Sequence, residues 1–149
     1  MAEIKYLVRI YNTDLDGNKP LYHGLTKIKG VGVMTANMVC NLLKFDKFKK
    51  VGLLTDEEVE KINDFLKDPK KYGAPSWMLN RRKDYETGED KHLLTTDLQL
   101  TKQDDIKRLR KIKSYRGVRH GLRLPLRGQR TKSNFRKNKG KVTGVKRKK

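Results

Sequence analysis

Arginine residues recur every three or four positions in the last third of this 149-residue chain. They are Arg116, Arg119, Arg123, Arg127 and Arg130. A guanidinium group forks onto phosphate oxygens and stacks on nucleobases, whereas an ammonium group acts as a point charge. The spacing of these arginines therefore indicates defined contacts with the phosphates and bases of a nucleic acid.

The residues around these arginines suit the same chemistry. Gly128, Gln129 and Thr131 would let the backbone bend and would donate hydrogen bonds to phosphate and ribose. Further candidate binding residues are His120, Lys132, Asn134, Arg136 and Lys137. The last four residues, Lys146, Arg147, Lys148 and Lys149, follow Gly140 and Gly144 and contain a single arginine. We expect them to supply nonspecific charge rather than fixed contacts.

Carboxylates are absent from the whole of this region. Residues 114–149 contain 14 Lys and Arg and no Asp or Glu, whereas residues 1–113 contain 23 basic residues against all 17 acidic ones. The chain as a whole carries a formal charge of +20. This asymmetry predicts a helical globular domain over residues 1–113 and a basic nucleic-acid-binding extension over residues 114–149. A membrane-binding tail would need an apolar face beside its bases, which this extension lacks, so no membrane partner is expected.

A second candidate phosphate site lies in the sequence "KIKGVG". Gly30 and Gly32 precede an amphipathic run, so backbone N–H groups at the start of a helix could face outward. A phosphate could approach closely because glycine has no Cβ atom, and Lys27 and Lys29 add positive charge. The alternative is a tight turn between two packed helices. The motif is not a P-loop, because no GK[ST] follows.

The elements that would position these residues are mostly helical. Residues 4–12 alternate in part and predict a short strand or extended segment that runs into a turn. A short helical stretch follows Pro20, and the four-residue spacing of Met34, Met38 and Leu42 predicts the next helix.

The elements after residue 50 are predicted from different kinds of sequence pattern. Thr55 and Glu58 form a predicted capping box for a helix that ends at Pro69. Residues 72–100 predict a small hairpin or extended insert, in which Trp77 is expected to pack, and helix returns with Thr101 as a possible cap. Gly117, Gly121 and Pro125 are expected to break regular structure.

Other chemistry has little support in the sequence. His23, His92 and His120 are scattered, and no signature of a nucleophile with a base is present, so we expect no enzyme and no cofactor. "NTDLDG" follows part of a calcium-loop pattern, but His23 stands where a bidentate Glu is needed, so no metal is expected. Cys40 is predicted to be a buried, inert thiol. With no signal peptide and no long apolar stretch, we expect a cytoplasmic protein.

The motifs "RGVRH" and "RGQRT" at the basic end resemble those of the universal small-subunit ribosomal protein thirteen, the S-thirteen family. "LTKIKGVG" is similar to the first helical hairpin of that family and "LTDEEVEKINDFL" to its third helix. The resemblance covers the chain from about residue 4 to its end. The insert "PSWMLNRRKD" is similar to the archaeal and eukaryotic branch of the family.

This resemblance implies a fold, a site and partners. The implied fold is mainly α, a helix-two-turns-helix domain with a small β-hairpin insert and an extended basic C-terminal tail. Members lie in the head of the small subunit and bind the 3′ domain of its rRNA. They pair with small-subunit protein nineteen and reach large-subunit protein five, which forms inter-subunit bridges. By this resemblance residues 116–120 and 127–131 contact rRNA, and residues 146–149 lie near peptidyl-site tRNA.

The chain departs from the family pattern at one position, and two other functions stay open. The family reads RHxxGLP, whereas this chain has Arg123 where the glycine is expected. If that glycine makes a left-handed turn, the turn must move or be made differently here. The first alternative function is a DNA-binding repair or architectural protein that uses the glycine hairpin. The second is an interaction module held by other proteins, in which the extension only adds solubility.

Overall fold

A computed structural model describes residues 4–131 of the chain. The chain divides into two compact units, Met1–Lys102 and Gln103–Lys149, and the division falls inside a helix. The boundary at residue 113, which follows from charge alone, stays a prediction. The mainly helical fold with one small antiparallel hairpin is confirmed.

The hairpin lies at the start of the chain. Strand β1 (Leu7–Ile10) pairs antiparallel with β2 (Thr13–Asp16), and Ile10 lies opposite Thr13. The two residues between the strands have φ values of 45° and 57°, as a two-residue turn of type I′ requires. The strand predicted in residues 4–12 is confirmed, whereas the second strand occupies residues for which a turn was predicted.

Three helices complete the first unit before the insert. They are α1 (Leu21–Gly24), α2 (Val33–Leu42) and α3 (Asp56–Lys67). The capping box of α3 is confirmed, because the Thr55 hydroxyl accepts from the Glu58 N–H at 3.3 Å and the Thr55 N–H donates to the Glu58 carboxylate at 3.0 Å. A side-chain cap of this kind contributes about 1 kcal/mol.

The core of the first unit forms where the hairpin meets these helices. Its fully buried side chains include Ile10, Leu15, Leu21, Leu25, Ile28, Val39, Val51, Ile62, Phe65, Leu66 and Leu94. Cys40 is buried there, and burial raises the pKa of its thiol, as an inert cysteine requires. On α2 only the middle residue of the predicted stripe, Met38, is buried in this core, since Met34 is 64% and Leu42 40% exposed.

The insert is irregular, with a short 3-10 helix at Ser76–Met78 and a single bridge instead of hairpin strands. The backbone groups of Arg81 and Lys91 exchange hydrogen bonds of 3.1 and 2.7 Å. Between them, the Asp84 carboxylate accepts from the Arg81 Nε at 2.8 Å and from the Thr87 hydroxyl at 3.1 Å. The prediction that Trp77 packs is wrong, because its side chain is 69% exposed.

Two helices follow the insert. Helix α4 spans Thr95–Lys111, so the helix predicted from Thr101 begins six residues earlier. Helix α5 spans Tyr115–Gly121 and contains Gly117, which was expected to break regular structure. Gly117 instead permits close packing in the second unit, because a Cβ atom there would run into the Leu109 carbonyl. Ser114 caps α5 by accepting from the Gly117 N–H at 3.1 Å.

Candidate nucleic-acid interface

The turn that leads into α2, residues 29–32, is here called the glycine turn. Gly30 has a φ of +102°, and a Cβ atom there would lie 2.6 Å from the Leu93 carbonyl oxygen. Both the backbone conformation and the close approach therefore require glycine at this position. Gly32 differs, since its φ is −91° and a Cβ atom would meet nothing within 4 Å. The open space beside Gly32 lies at the N-terminus of α2.

Backbone donors point into that space. The N–H groups of residues 32–35 have no acceptor within residues 4–131, as is usual in the first turn of a helix. The helix dipole adds partial positive charge at the same end. Lys29 is exposed and has no ion pair within the described residues. The glycine turn can thus receive an anion.

Lys27, the other lysine of this motif, has a different position from the one predicted. Its Nζ donates to the Asp14 carbonyl oxygen at 2.6 Å. The side chain therefore contacts the hairpin, and the charge at the glycine turn rests mainly on Lys29.

In the second unit, helix α5 presents Arg116 to solvent and holds Arg119 more tightly. The Arg119 Nε donates to the Pro125 carbonyl oxygen at 2.9 Å, and its Cζ lies 5.9 Å from the centre of the Tyr115 ring. Arg119 thereby fastens the chain after α5 back onto the helix. His120 is half-buried and Arg116 is exposed.

The turn at the end of α5 forms with Arg123 in place of the expected glycine. Its φ is 55°, so the arginine itself adopts the left-handed conformation expected of the glycine. The Arg123 N–H donates to the His120 carbonyl at 3.2 Å, and the Leu124 N–H donates to the Arg119 carbonyl at 3.0 Å. These two bonds are those of a Schellman motif, with Arg123 at the position where glycine is usual. The turn has not moved, and it projects a cation into solvent.

The RGQRT segment, residues 127–131, is exposed throughout. The Gln129 side-chain oxygen accepts from the Arg127 N–H at 3.1 Å, and Gly128 has a φ of +69°. Apart from that oxygen, the polar side-chain groups of Arg127, Gln129 and Arg130 are all hydrogen-bond donors. Neither arginine pairs with a carboxylate within residues 4–131. A surface made of donors and positive charge is suited to phosphate.

Several predicted binding residues cannot be placed. Lys132, Asn134, Arg136, Lys137 and the last four residues lie outside the described residues. The two groups that can be placed, the glycine turn and the cations of residues 116–131, belong to different units.

Arg110 is a candidate binding residue that sequence reasoning missed. It lies in the last turn of α4, next to Gly121, whose Cβ atom would come within 3.7–3.9 Å of its guanidinium group. The signal was present in the sequence, because Asp105 is the last acidic residue and every charged side chain after it is basic. The acid-free region therefore begins within α4 rather than at Ser114.

Two other kinds of site are absent from the described residues. Within residues 4–131 no three His, Cys, Asp or Glu side chains come together as metal ligands would. None of the helices in the same residues combines the length and apolar character that a membrane span requires.

Comparison with known proteins identifies the family. The model of the family described as ribosomal protein S13/S18 matches residues 9–137. The chain belongs to this family. It is 55% identical over 148 residues to the small ribosomal subunit protein uS13 of Methanocaldococcus jannaschii, covering 99% of this chain and 97% of the relative. The proteins of the same name from Nanoarchaeum equitans and Staphylothermus marinus are 52% and 49% identical, each over 97% of this chain and 94% of the relative.

The match settles two of the predictions. The resemblance to the archaeal branch of the S13 family is confirmed by these relatives. Proteins of the S13 family are structural components of the ribosome, so the prediction that the chain is not an enzyme is also confirmed.

Proposed function

We propose that this S13-family chain is a structural protein of the small-subunit head that binds small-subunit rRNA. The observation that carries the proposal is the series of exposed arginines at positions 116, 123, 127 and 130, which have no carboxylate partner within the described residues. Folded RNA has closely spaced phosphates that such a surface neutralises, and counterion release then supplies much of the affinity. The complex would form on the ribosome, in the cytoplasm.

The two units contribute different contacts in this proposal. The RGQRT segment offers fork-shaped guanidinium donors, which suit phosphate oxygens and exposed bases. The glycine turn offers backbone N–H groups and Lys29, which suit one phosphate and read no sequence. Arg116 and Arg123 extend the basic surface beside α5.

The remaining partners follow from the family. The last four residues are proposed to approach peptidyl-site tRNA, to which they contribute charge. Small-subunit protein nineteen and large-subunit protein five are the proposed protein partners, the latter across an inter-subunit bridge. These assignments rest on the resemblance described above and on the relatives' shared name.

The rRNA assignment is tested by removing two charges at two places. Arg127→Gln with Arg130→Gln changes the RGQRT segment. Lys61→Gln with Lys70→Gln is the matched control, since both lysines are exposed and have no ion pair within residues 4–131. Affinity for an rRNA 3′-domain fragment is measured over a salt series for both double variants.

We expect the arginine variant to bind more weakly and to lower the salt slope by up to about 1.8, which is about 0.9 for each phosphate that is no longer neutralised. The control should change neither quantity by as much. Equal effects of the two variants would mean that only net charge matters and would contradict the assigned site. Equal affinity for rRNA and for duplex DNA of the same length would favour the DNA-binding alternative.

The tRNA assignment needs assembled subunits. Small subunits are built with the chain ending at Val145, which removes four positive charges. We expect normal assembly and a tRNA affinity whose salt slope is lower by at most about three to four units. An unchanged slope would return these residues to the role of a solvated tail.

A further inference from the structure

The end of the insert lies directly against the glycine turn. Beyond the Leu93 carbonyl described above, the Leu94 side chain would lie 2.9 Å from a Cβ atom on Gly30. The Thr95 N–H donates to the Lys29 carbonyl at 2.8 Å. Three consecutive residues of the insert and α4 therefore meet Lys29 and Gly30.

Asn80 holds this stretch in place from the other side of the insert. Its side-chain oxygen accepts from the Leu93 N–H at 2.8 Å, and its side-chain nitrogen donates to the Leu93 carbonyl at 2.7 Å. That carbonyl is the one packed over Gly30. The amide side chain thus fixes both the position and the direction of the peptide that faces the glycine turn.

His92 adds a contact beneath the turn. Its Nδ1 accepts from the Asn80 N–H at 3.4 Å, so the proton of the neutral ring is on Nε2. Nε2 is buried and makes no hydrogen bond within residues 4–131. Burial lowers the pKa of His92, and the neighbouring backbone of Gly30 opposes that shift. The ring is therefore a neutral spacer next to Gly30.

We propose that Asn80 and His92 are positioning residues for RNA binding by the glycine turn. They hold residues 92–95 against Lys29 and Gly30, which aims the N–H groups of residues 32–35 and the Lys29 side chain at one phosphate. This inference rests on the proposed function of the turn. It gives the insert a role that needs no contact between its own side chains and RNA.

The test uses the full chain and the rRNA 3′-domain fragment. The variants are Asn80→Ala, Lys29→Gln and the two combined, with Ser76→Ala as control, since the Ser76 hydroxyl lies in the same insert, is exposed and makes no hydrogen bond within residues 4–131. Affinity, its salt slope and the thermal midpoint are measured for each. His92→Gln is a second, milder variant that retains both side-chain bonds of Asn80 to Leu93.

A displaced turn no longer brings Lys29 to its phosphate. We therefore expect Asn80→Ala to weaken binding about tenfold and to lower the salt slope by about one, although it removes no charge. In the Asn80→Ala background, Lys29→Gln should cost less affinity than it does alone. His92→Gln should act in the same direction, and Ser76→Ala should not.

Other outcomes would distinguish failure of the positioning role from failure of phosphate binding at the glycine turn. If Lys29→Gln weakens binding but Asn80→Ala and His92→Gln do not, the positioning role is wrong and the function of the turn stands. Additive decreases in affinity for Asn80→Ala and Lys29→Gln, with an unchanged salt slope for Asn80→Ala, would also overturn the positioning role. No effect of Lys29→Gln alone would overturn both proposals.

Discussion

Replacing Arg123 by glycine should stabilise the end of α5. The arginine has a φ of 55°, and the left-handed conformation costs a residue with a Cβ atom about 1–2 kcal/mol. Glycine removes that cost but gains freedom in the unfolded chain, which offsets about 0.4–1 kcal/mol. The net expected gain is about 0.5–1 kcal/mol, or roughly 1–4 °C in the thermal midpoint for a chain of this size.

Arg123→Ala is the matched control for this change. It removes the same charge but keeps a Cβ atom, so it retains the strain. The assay is the thermal midpoint together with hydrogen exchange of the Leu124 amide, which donates to the Arg119 carbonyl only when the Schellman motif is closed. The glycine variant should protect this amide more than the alanine variant does.

The two variants also separate conformation from charge in RNA binding. Both lose one cation, so each should lower the salt slope by at most about 0.9, and by the same amount. If Arg123→Gly is no more stable than Arg123→Ala, Arg123 does not adopt the left-handed conformation. If their RNA affinities differ, the shape of the turn matters in addition to its charge.

Three further predictions concern the two units. Gly32→Val should weaken rRNA binding with little change in thermal midpoint, because the space beside Gly32 is open. Gly30→Val, in contrast, should unfold the glycine turn. A large midpoint shift for Gly32→Val would show that Gly32 serves packing instead. Deleting residues 114–149 should leave a helical first unit with much weaker RNA affinity, since the buried core side chains found within residues 4–131 all lie at or before Leu94. A circular dichroism spectrum of an unfolded chain would refute the two-part division. Burial opposes ionisation of Glu58, but Lys49 at 2.7 Å and the capping bonds outweigh it and lower the pKa of Glu58. The stability from this group is present above the ordinary value of about 4.3 and lost as pH falls through the lower folded value. Glu58→Gln should therefore lower the free energy of unfolding at neutral pH and make it depend less on pH in the acid range, as measured by urea titrations. An unchanged pH dependence in the acid range would contradict this.

Local signals in the sequence were sufficient for several features. The capping box at Thr55 and Glu58 is a short-range pattern, and the structure contains both of its hydrogen bonds. The helix after Pro20 and the buried Cys40 follow from equally local chemistry. The charge asymmetry needs no structure at all, since it depends only on which residues are present.

Features that depend on distant contacts were predicted less well. Strand β2 has only four residues, and their Asp-rich sequence is typical of a turn until Leu15 is buried against the helices. Helix α4 begins before Thr101 because Leu94 enters the core and the Thr95 N–H binds the Lys29 carbonyl, 66 residues earlier in the chain. Neither contact is visible in a local pattern.

In the candidate site too, exposure was easier to predict than contacts with distant residues. The RGQRT segment and Lys29 are exposed and their binding role stays a prediction, whereas Lys27 and Arg119 donate to carbonyl oxygens of their own units. A basic residue in a motif does not reveal whether its side chain will donate a hydrogen bond to a nearby carbonyl. The insert, which the sequence marks only as irregular, packs against the glycine turn through the Leu93 peptide that Asn80 holds over Gly30, and its positioning role is our proposal.

We propose above that this chain assembles into the small ribosomal subunit by binding its rRNA. The most direct measurement is sedimentation of the tagged chain from cells through a sucrose gradient in high salt, with the Arg127→Gln, Arg130→Gln double variant alongside. We expect the unaltered chain to migrate with small subunits and the double variant to be depleted from them. A chain that stays at the top of the gradient, or a double variant retained as fully as the unaltered chain, would contradict it.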